Sequence, residues 1–246
     1  ENEGDLVMSA EKITPEAMNF MLKYGRGIPC VPTTQEVLDR LNIPMMTKSN
    51  TSRLGTAMGE TVDAKQGTTT GVSAYDRAKT VQVFTNPNSR PEHLARPGHV
   101  IPLKAVPGGV LRRAGHTEAT VDLCVLAGLQ PVGVLCEILD DDGTMARVPS
   151  LVKFAEEYSL HIITISDLIA YRRRTERLIH RAAGPVLLPT KYGEFKVYAY
   201  QSEVDTTPYL AFVMGDFQED EPILVRVHSS CITGDIMGSL RCDCGF

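Results

Sequence analysis

Apolar residues recur with helix-like and strand-like periods through the first 175 residues of this chain. Thr14 followed by Pro15 is typical of a helix start, and this helix is predicted to end near Gly25. Other helical patterns cover residues 33–42, residues 73–84 from a cap at Ser73, a segment that ends at Gly128, residues 150–158, and residues 166–179 from a cap at Ser166. Short apolar runs at 28–32, 99–106, 132–139 and 161–165 have the length of strands.

Because helices and strands interleave, the sequence predicts a mixed sheet covered by helices. The pattern changes around residues 182–190, and strand-like segments follow at 193–201, 210–217 and 223–230. The predicted fold class is therefore α+β: a mixed sheet covered by helices, followed by the β-rich start of a second α+β domain. The predicted division is a first domain at 1–175, a linker at 176–188 and an incomplete second domain at 189–246.

Composition excludes several classes of partner. The 246 residues carry a net charge of −5 without any basic block, which argues against binding to nucleic acid or to an anionic membrane. The densest basic run, 171–181, is interpreted as a solvated helix face and linker. No apolar stretch approaches the roughly 20 residues that span a bilayer. The six cysteines are too dispersed for a small secreted disulfide framework.

These observations favour a cytoplasmic protein, with a plastid location as the alternative if a transit peptide preceded Glu1. The chain begins at Glu1, inside what is predicted to be a loop before a strand, and it has no initiator methionine. We therefore expect both ends of this sequence to lie within longer segments.

Three cysteines lie close to the end of the chain. Cys231, Cys242 and Cys244 supply soft thiolate ligands of the kind that zinc prefers, and three protein ligands with an open fourth position are typical of catalytic zinc. Thr233, Gly234 and Asp235 predict a turn that would let the later pair fold back. Three buried or incidental thiols are the alternative. Arg226 and Arg241 lie nearby and suit a phosphate group.

Acidic residues alternate at the start of the chain. Glu1, Glu3 and Asp5 would lie on one side of an extended segment, as hard oxygen ligands for magnesium or manganese or as general bases. An acidic, solvated loop is the alternative.

A third group of candidates lies in the middle of the sequence. His99 and His116 stand in glycine-bounded turns, and the second follows Arg112 and Arg113 directly before a helix, where backbone N–H groups attract phosphate. Glu137 stands in the apolar run "VLCEIL", where a carboxylate is costly unless it is paired or functional. Spacing alone thus indicates a metal-assisted enzyme that acts on a small phosphorylated compound.

Several motifs together resemble the 3,4-dihydroxy-2-butanone 4-phosphate synthases of riboflavin biosynthesis. They are "ENEGDL", "RPGHV", "RAGHTEA", "CEIL", "DDGTMAR" and "ITISDLIAYRRR", in the order of that family and over roughly residues 1–175. The closing stretch "RVHSSCITGDIMGSLRCDCG" resembles the zinc motif of GTP cyclohydrolase II. In this order, the two resemble the bifunctional family in which the synthase precedes the cyclohydrolase.

For the first domain, the resemblance implies conversion of D-ribulose 5-phosphate into L-3,4-dihydroxy-2-butanone 4-phosphate and formate. It implies magnesium or manganese at Glu1 and His116, and a homodimer whose active site is shared between the subunits. The implied catalytic residues are His99, Glu137, Glu3 and Cys30. The implied substrate-binding residues are Glu1, Asp5, Arg113, Ala114, Gly115, His116, Thr117 and Glu137. From its apolar strand alone, Cys30 is interpreted as a packing residue rather than a nucleophile.

For the second domain, the resemblance implies zinc at Cys231, Cys242 and Cys244. The implied GTP contacts are Arg226, Val227, His228, Ser229 and Ser230. Opening of the imidazole ring of GTP would release formate and pyrophosphate, and the parts of that domain needed for this reaction would follow Phe246.

The sequence departs from the family pattern at two places, and two alternative functions are considered. Gly59 and Glu60 stand where the family usually has apolar or hydroxyl residues, and the arginine that usually precedes Glu1 is not in the sequence. One rival is synthase activity alone, with a regulatory or structural zinc-binding second domain. The other is a zinc-dependent binding module on a degenerate scaffold, which the presence together of Glu1, His99, His116 and Glu137 disfavours.

Overall fold

The computed structural model describes residues 3–204, 207–218, 222–237 and 239–241. It divides into two compact units, the first formed by Glu1–His180 with Gln201–Pro208 and the second by Arg181–Tyr200 with Tyr209–Phe246. Within the described residues, no helix is long and apolar enough to cross a bilayer.

The first unit is built on a five-stranded mixed sheet. Its strands are β1 (Asp5–Ser9), β2 (Cys30–Thr33), β3 (Val62–Ala64), β4 (Leu94–Lys104) and β5 (Gly133–Glu137), in the spatial order β1-β5-β2-β4-β3. Strands β2 and β4 are parallel, whereas the β1–β5, β5–β2 and β3–β4 pairs are antiparallel.

Helices accompany this sheet, and their bounds follow from local sequence signals. They are α1 (Pro15–Phe20), α2 (Gln35–Arg40), α3 (Ala74–Thr85), α4 (His116–Leu126), α5 (Val148–Tyr158) and α6 (Ile165–Thr175). The predicted caps at Thr14 and Ser73 are confirmed, because their hydroxyls accept hydrogen bonds from the N–H groups of Ala17 and Asp76. Mixed sheet and helices together confirm the predicted α+β fold.

The main core lies between the sheet and the first helices. Its largest fully buried side chains include Met18, Leu38, Leu41, Val81 and Phe84, and Val132 and Val134 contribute from the region of β5. This burial explains why the apolar runs at 28–32, 99–106 and 132–139 form strands in the structure. A continuous apolar run is expected where both faces of a sheet are covered.

Some predicted elements differ in the structure. Residues 161–163 do not form the predicted strand, and Ile162 and Ile163 are exposed. The cap of α6 is Thr164 rather than Ser166, because the Thr164 hydroxyl accepts the N–H of Asp167. The predicted strand at 223–230 is likewise absent, since no ladder partner is assigned to these described residues.

The second unit carries a three-stranded sheet in the order β6-β7-β8. The strands are β6 (Ile179–Thr190), β7 (Gly193–Ser202) and β8 (Tyr209–Val213), and β7 and β8 are antiparallel. The first residues of β6 lie in the segment predicted as a linker, 176–188.

Gly59 and Glu60, the residues expected to depart from the family pattern, have defined contacts in the structure. Gly59 donates its N–H to the carbonyl of Pro102, where a Cβ would approach Ile43 Cγ2 to 3.1 Å. The Glu60 carboxylate lies 3.4 Å from Nε of Arg96 on β4. A small residue followed by a carboxylate thus suits this edge of the sheet.

One partly buried ionic network joins α4, α6 and the turn that precedes α4. The Arg172 guanidinium donates to Asp122 Oδ2 at 2.8 Å, to the carbonyl of Gly108 at 3.0 Å, and to both carboxylate oxygens of Glu176. Asp122 Oδ2 also accepts the N–H of Val110. Burial is the largest effect on Asp122 and raises the pKa of its carboxyl, against the opposing Val110 hydrogen bond and Arg172.

We predict that Arg172→Ala lowers the free energy of unfolding by about 2–4 kcal/mol, because it leaves the Asp122 carboxylate buried without its cation. Urea unfolding at neutral pH measures this loss. Arg174→Ala is the matched control, since Arg174 is exposed on the same helix and should change stability by no more than about 0.5 kcal/mol. Equal stabilities of the two variants would contradict the assignment.

Candidate active site

Three predicted residues lie on neighbouring strands of the first sheet. Asp5 on β1 is the register partner of Glu137 on β5, and Cys30 on β2 is the partner of Leu135. Because side chains alternate along a strand, residues 135 and 137 share a face, and register partners also share a face. The sheet therefore places Asp5, Glu137 and Cys30 on one side.

His116, the first residue of α4, completes this cluster. Its Nδ1 lies 3.3 Å from Asp5 Oδ2, and the Asp5 side chain is only 5% exposed. The hydrogen bond to Asp5 is the main cause that raises the pKa of His116, while burial opposes it and the charges of Asp5, Glu3 and Glu137 add to it. The other Asp5 oxygen, Oδ1, is buried without a hydrogen-bond partner in the described part of the chain.

Glu137 is held in place by the turn before β2. Its Oε2 accepts the N–H of Ile28 at 3.0 Å, and its main-chain carbonyl accepts the N–H of Gly27. Its apolar neighbours in sequence suggested that Glu137 would be fully buried, but the residue is only partly buried. Glu3 is partly exposed at the edge of the cluster, with Oε1 3.5 Å from Nη1 of Arg147.

Cys30 is a neutral, buried thiol in this cluster. It is 3% exposed, and burial followed by the charges of Glu137, Cys136 and Asp5 raises the pKa of its thiol to about 12. Such a thiol does not supply a thiolate nucleophile at neutral pH.

The segment from Arg113 to Thr117 is tied down by a buried carboxylate. Glu118 is 1% exposed, and its Oε2 accepts a hydrogen bond from Arg113 Nη1 at 2.6 Å, while Oε1 accepts the N–H of Val106. Arg113 also donates to the carbonyl of Leu54 at 3.1 Å. Ala114 and Gly115 connect this arginine to α4. The N–H groups of the first turn of α4, including that of Thr117, therefore lie close to Arg113 in sequence.

His99 contacts a different partner, which sequence reasoning missed. Its Nδ1 lies 2.7 Å from Asp63 Oδ2, and its main-chain N–H donates to Asp63 Oδ1 at 2.9 Å. A signal for Asp63 was present in "VDA", where one carboxylate stands between two buried apolar residues of a strand. Glu118, by contrast, lies in the motif "RAGHTEA", among the polar residues that begin α4.

The residues around Asp5 suit a divalent cation. Glu1 lies outside the described residues, and among those described no group of three histidine, cysteine or acidic side chains is arranged to hold a metal. Asp5 nevertheless engages His116 through Nδ1, the arrangement in which a carboxylate orients a histidine whose Nε2 is a metal ligand. The unpaired Asp5 Oδ1 adds an oxygen acceptor of the type that magnesium and manganese prefer.

The described part of the closing segment forms a turn around Cys231. Its sulfur accepts the N–H of Gly234 at 3.4 Å and lies 3.2 Å from Thr233 Oγ1, and its main-chain N–H donates to Asp235 Oδ2. His228 Nε2 lies 3.0 Å from the same Asp235 oxygen. Hydrogen-bond donors around a sulfur suit a thiolate ligand. The other two predicted zinc ligands, Cys242 and Cys244, lie outside the described residues.

The predicted GTP contacts form one exposed, irregular segment: Arg226, Val227, His228, Ser229 and Ser230.

Comparison with known proteins matches both parts of the chain. Residues 1–171 match the family model of 3,4-dihydroxy-2-butanone 4-phosphate synthase, and residues 180–246 match that of GTP cyclohydrolase II. The riboflavin biosynthesis protein RibBA of Aquifex aeolicus is 57% identical over 99% of this chain and 60% of its own length. The chloroplastic bifunctional riboflavin biosynthesis protein RIBA 1 of Arabidopsis thaliana is 56% identical over 100% of this chain and 45% of its own length. The chain thus spans about half the length of the curated relatives it matches.

Solved structures agree with this assignment. RibBX, a two-domain 3,4-dihydroxy-2-butanone 4-phosphate synthase from A. baumannii, has a TM-score of 0.79 and 44% identity over 87% of this chain and 63% of its own. A 3,4-dihydroxy-2-butanone 4-phosphate synthase in complex with two magnesium ions has a TM-score of 0.69 and 44% identity over 71% of this chain and 87% of its own. With its matched segment covering more than half of the sequence, the chain belongs to the 3,4-dihydroxy-2-butanone 4-phosphate synthase family.

Proposed function

We propose that residues 1–175 convert D-ribulose 5-phosphate into L-3,4-dihydroxy-2-butanone 4-phosphate and formate, as a step of riboflavin biosynthesis. The observation that carries this proposal is the convergence of Asp5, Glu137, Cys30 and His116 on one face of the sheet. A reaction with enolisation, loss of water, a carbon shift and carbon–carbon cleavage needs several proton transfers within one site. A cluster of titratable groups beside an anion-binding helix start suits that need.

In this proposal Glu137 transfers protons. Its Oε2 is fixed by the Ile28 N–H, so Oε1 is the oxygen that we assign to accept a proton from the substrate and return it. Asp5 is the substrate-binding carboxylate beside His116. Glu3, at the edge of the cluster, assists as a second carboxylate, and the Cys30 thiol lines the site as a neutral group.

The phosphate is held at the start of α4. Arg113, Ala114, Gly115, His116 and Thr117 bring a guanidinium and helix N–H groups together, and Glu118 keeps the guanidinium in place. Glu1 and His116 would hold magnesium or manganese, which when bound would stabilise negative charge on vicinal substrate oxygens. Asp5 supports this role by orienting the His116 ring.

The second catalytic group, His99, pairs with Asp63 rather than with this cluster. We propose a homodimer in which the synthase site is shared between subunits, so that His99 serves the same substrate as Glu137. Relatives that carry the same order of domains, from bacteria and plants, support a cytoplasmic or plastid location for the bifunctional protein.

For residues 189–246, following a connection at 176–188, we propose the start of a GTP cyclohydrolase II domain. Cys231, Cys242 and Cys244 would hold zinc, and residues 226–230 would contact GTP. In the longer protein this domain would open the imidazole ring of GTP and release formate and pyrophosphate. The hydrogen bonds to the Cys231 sulfur support the zinc assignment. They equally fit the alternative in which synthase activity is accompanied by a structural or regulatory zinc domain.

The first test is formate release from ribulose 5-phosphate by this chain with magnesium or manganese present. We expect turnover that EDTA abolishes, and a fall of about 10²–10⁴-fold in Glu137→Gln, because the amide cannot exchange the proton. Glu156→Gln on the exposed face of α5 is the matched control and should keep full turnover. Full activity of Glu137→Gln would refute the catalytic assignment.

The second test concerns the protonation of Cys30. Because its thiol is buried and its pKa is raised to about 12, we expect iodoacetamide at neutral pH to leave Cys30 unmodified in the folded chain. Mass spectrometry after a short labelling pulse measures this, with the urea-unfolded chain as the control in which Cys30 reacts. Rapid labelling of native Cys30 would contradict a neutral, packed thiol.

The third test concerns zinc. We expect the chain to bind one zinc ion and Cys231→Ser to lose most of it, as measured by metal analysis after dialysis against zinc. Cys124→Ser is the control, since Cys124 is buried in α4 and bonds to the carbonyl of Val132. Equal zinc content in both variants would remove Cys231 from the site.

A further inference from the structure

The Asp63–His99 pair is a built arrangement rather than a chance surface contact. One carboxylate holds the histidine at two points, with Oδ2 on the ring nitrogen at 2.7 Å and Oδ1 on the main-chain N–H at 2.9 Å. The Asp63 side chain is 14% exposed, whereas the His99 ring is 45% exposed. The carboxylate is thus sheltered, and the imidazole it holds remains accessible.

An irregularity in the sheet creates this pair. Strand β3 pairs with β4 through Val62 and Val100, but the next residue, Asp63, pairs with Ala95. Residues 96–99 of β4 have no register partner on β3, and Gly98 donates its N–H to the Thr61 hydroxyl at 3.2 Å. Bulges of this kind re-aim side chains, and here the shift turns His99 back over Asp63.

The loop before α3, residues 69–71, also packs against the Asp63–His99 pair. Gly71 is buried with φ of +88°, and a Cβ there would overlap Asp63 Oδ2 and lie 2.6 Å from His99 Nδ1. Asp76, which is buried, fixes this loop by accepting the N–H groups of Thr69 and Gly71 and the Thr69 hydroxyl. Only hydrogen fits at residue 71, so the loop restricts movement of both side chains.

We infer that Asp63 is a positioning residue that sets the tautomer and orientation of His99 for proton transfer, an inference that rests on the proposed synthase function. A carboxylate accepts hydrogen bonds only, so neutral His99 carries its proton on Nδ1 and presents the lone pair of Nε2. Nε2 takes one proton from the substrate, and the resulting imidazolium returns that proton at a later step. Asp63 stays ionised throughout and stabilises the imidazolium.

The tautomer can be measured without any assay of activity. We expect the ¹⁵N shifts of the neutral His99 ring to show Nδ1–H and bare Nε2 in the unmodified chain. In Asp63→Asn the amide NH₂ can donate to Nδ1, so the proton should move to Nε2. Asp39→Asn makes the same atomic change at an exposed position of α2 and should leave the His99 shifts unchanged. An Nε2–H tautomer in the unmodified chain would overturn the inference even if Asp63→Asn does not fold.

Turnover supplies the second measurement. Asp63→Asn should lower kcat for formate release by about 10²–10⁴-fold, the range seen when a catalytic histidine holds its proton on the wrong nitrogen. KM should change little, because Asp63 acts through His99 rather than on the substrate. Unchanged kcat, or a fall without a change of tautomer, would overturn the role.

The two proposals fail in distinguishable ways. No formate from the unmodified chain, folded and with magnesium, would refute the synthase function and with it the catalytic role of Asp63. The ¹⁵N shifts would still decide whether Asp63 sets the tautomer of His99. Formate release with an Nε2–H histidine would instead retain the function and refute the role of Asp63.

Discussion

The site depends on how the sheet tolerates two carboxylates at one register position. Asp5 and Glu137 are direct partners across β1 and β5, and like charges placed opposite one another destabilise an antiparallel pair. His116 offsets this cost, since its imidazole bonds to Asp5 and its pKa is raised by that contact. The start of α4 must therefore stay against the end of β5. A divalent cation would relieve the same repulsion, so the charge that is costly for folding is the charge that suits a metal-dependent reaction.

Buried carboxylates fix the loops of this site in a shared manner. Glu118 accepts the N–H of Val106, Asp122 accepts that of Val110, and Asp76 accepts those of Thr69 and Gly71. Hydrogen bonds to an ionised acceptor are stronger than those between neutral groups. Loops that would otherwise be free thus gain defined positions relative to the sheet, which is what orientation of a small substrate requires. This explains why a predominantly apolar core retains acidic side chains.

Sequence patterns predicted what depends on local signals. The caps at Thr14 and Ser73 and the strands at β2, β4 and β5 follow from hydroxyl placement and apolar runs, and the structure has them. The run at 161–165 failed because β-branched residues form a strand only where a neighbouring strand pairs with them, and in the structure Ile162 and Ile163 are exposed. Motif resemblance located Asp5, His116 and Glu137. The Asp63–His99 contact escaped prediction because it joins residues 36 apart through a shift of register that no local pattern encodes.

His99 and His116 show how one type of contact serves two purposes. In both, a carboxylate bonds to Nδ1 and leaves Nε2 for chemistry, at 3.3 Å for His116 and 2.7 Å for His99. Their surroundings differ. The charges of Asp5, Glu3 and Glu137 act together on His116, which favours a cation beside it. His99 is faced by Asp63 and by the backbone of Gly71, an environment that suits the proton transfer proposed for it. We propose that the number of carboxylates around each ring, rather than its hydrogen bond through Nδ1, separates the proposed metal ligand His116 from the proposed proton carrier His99.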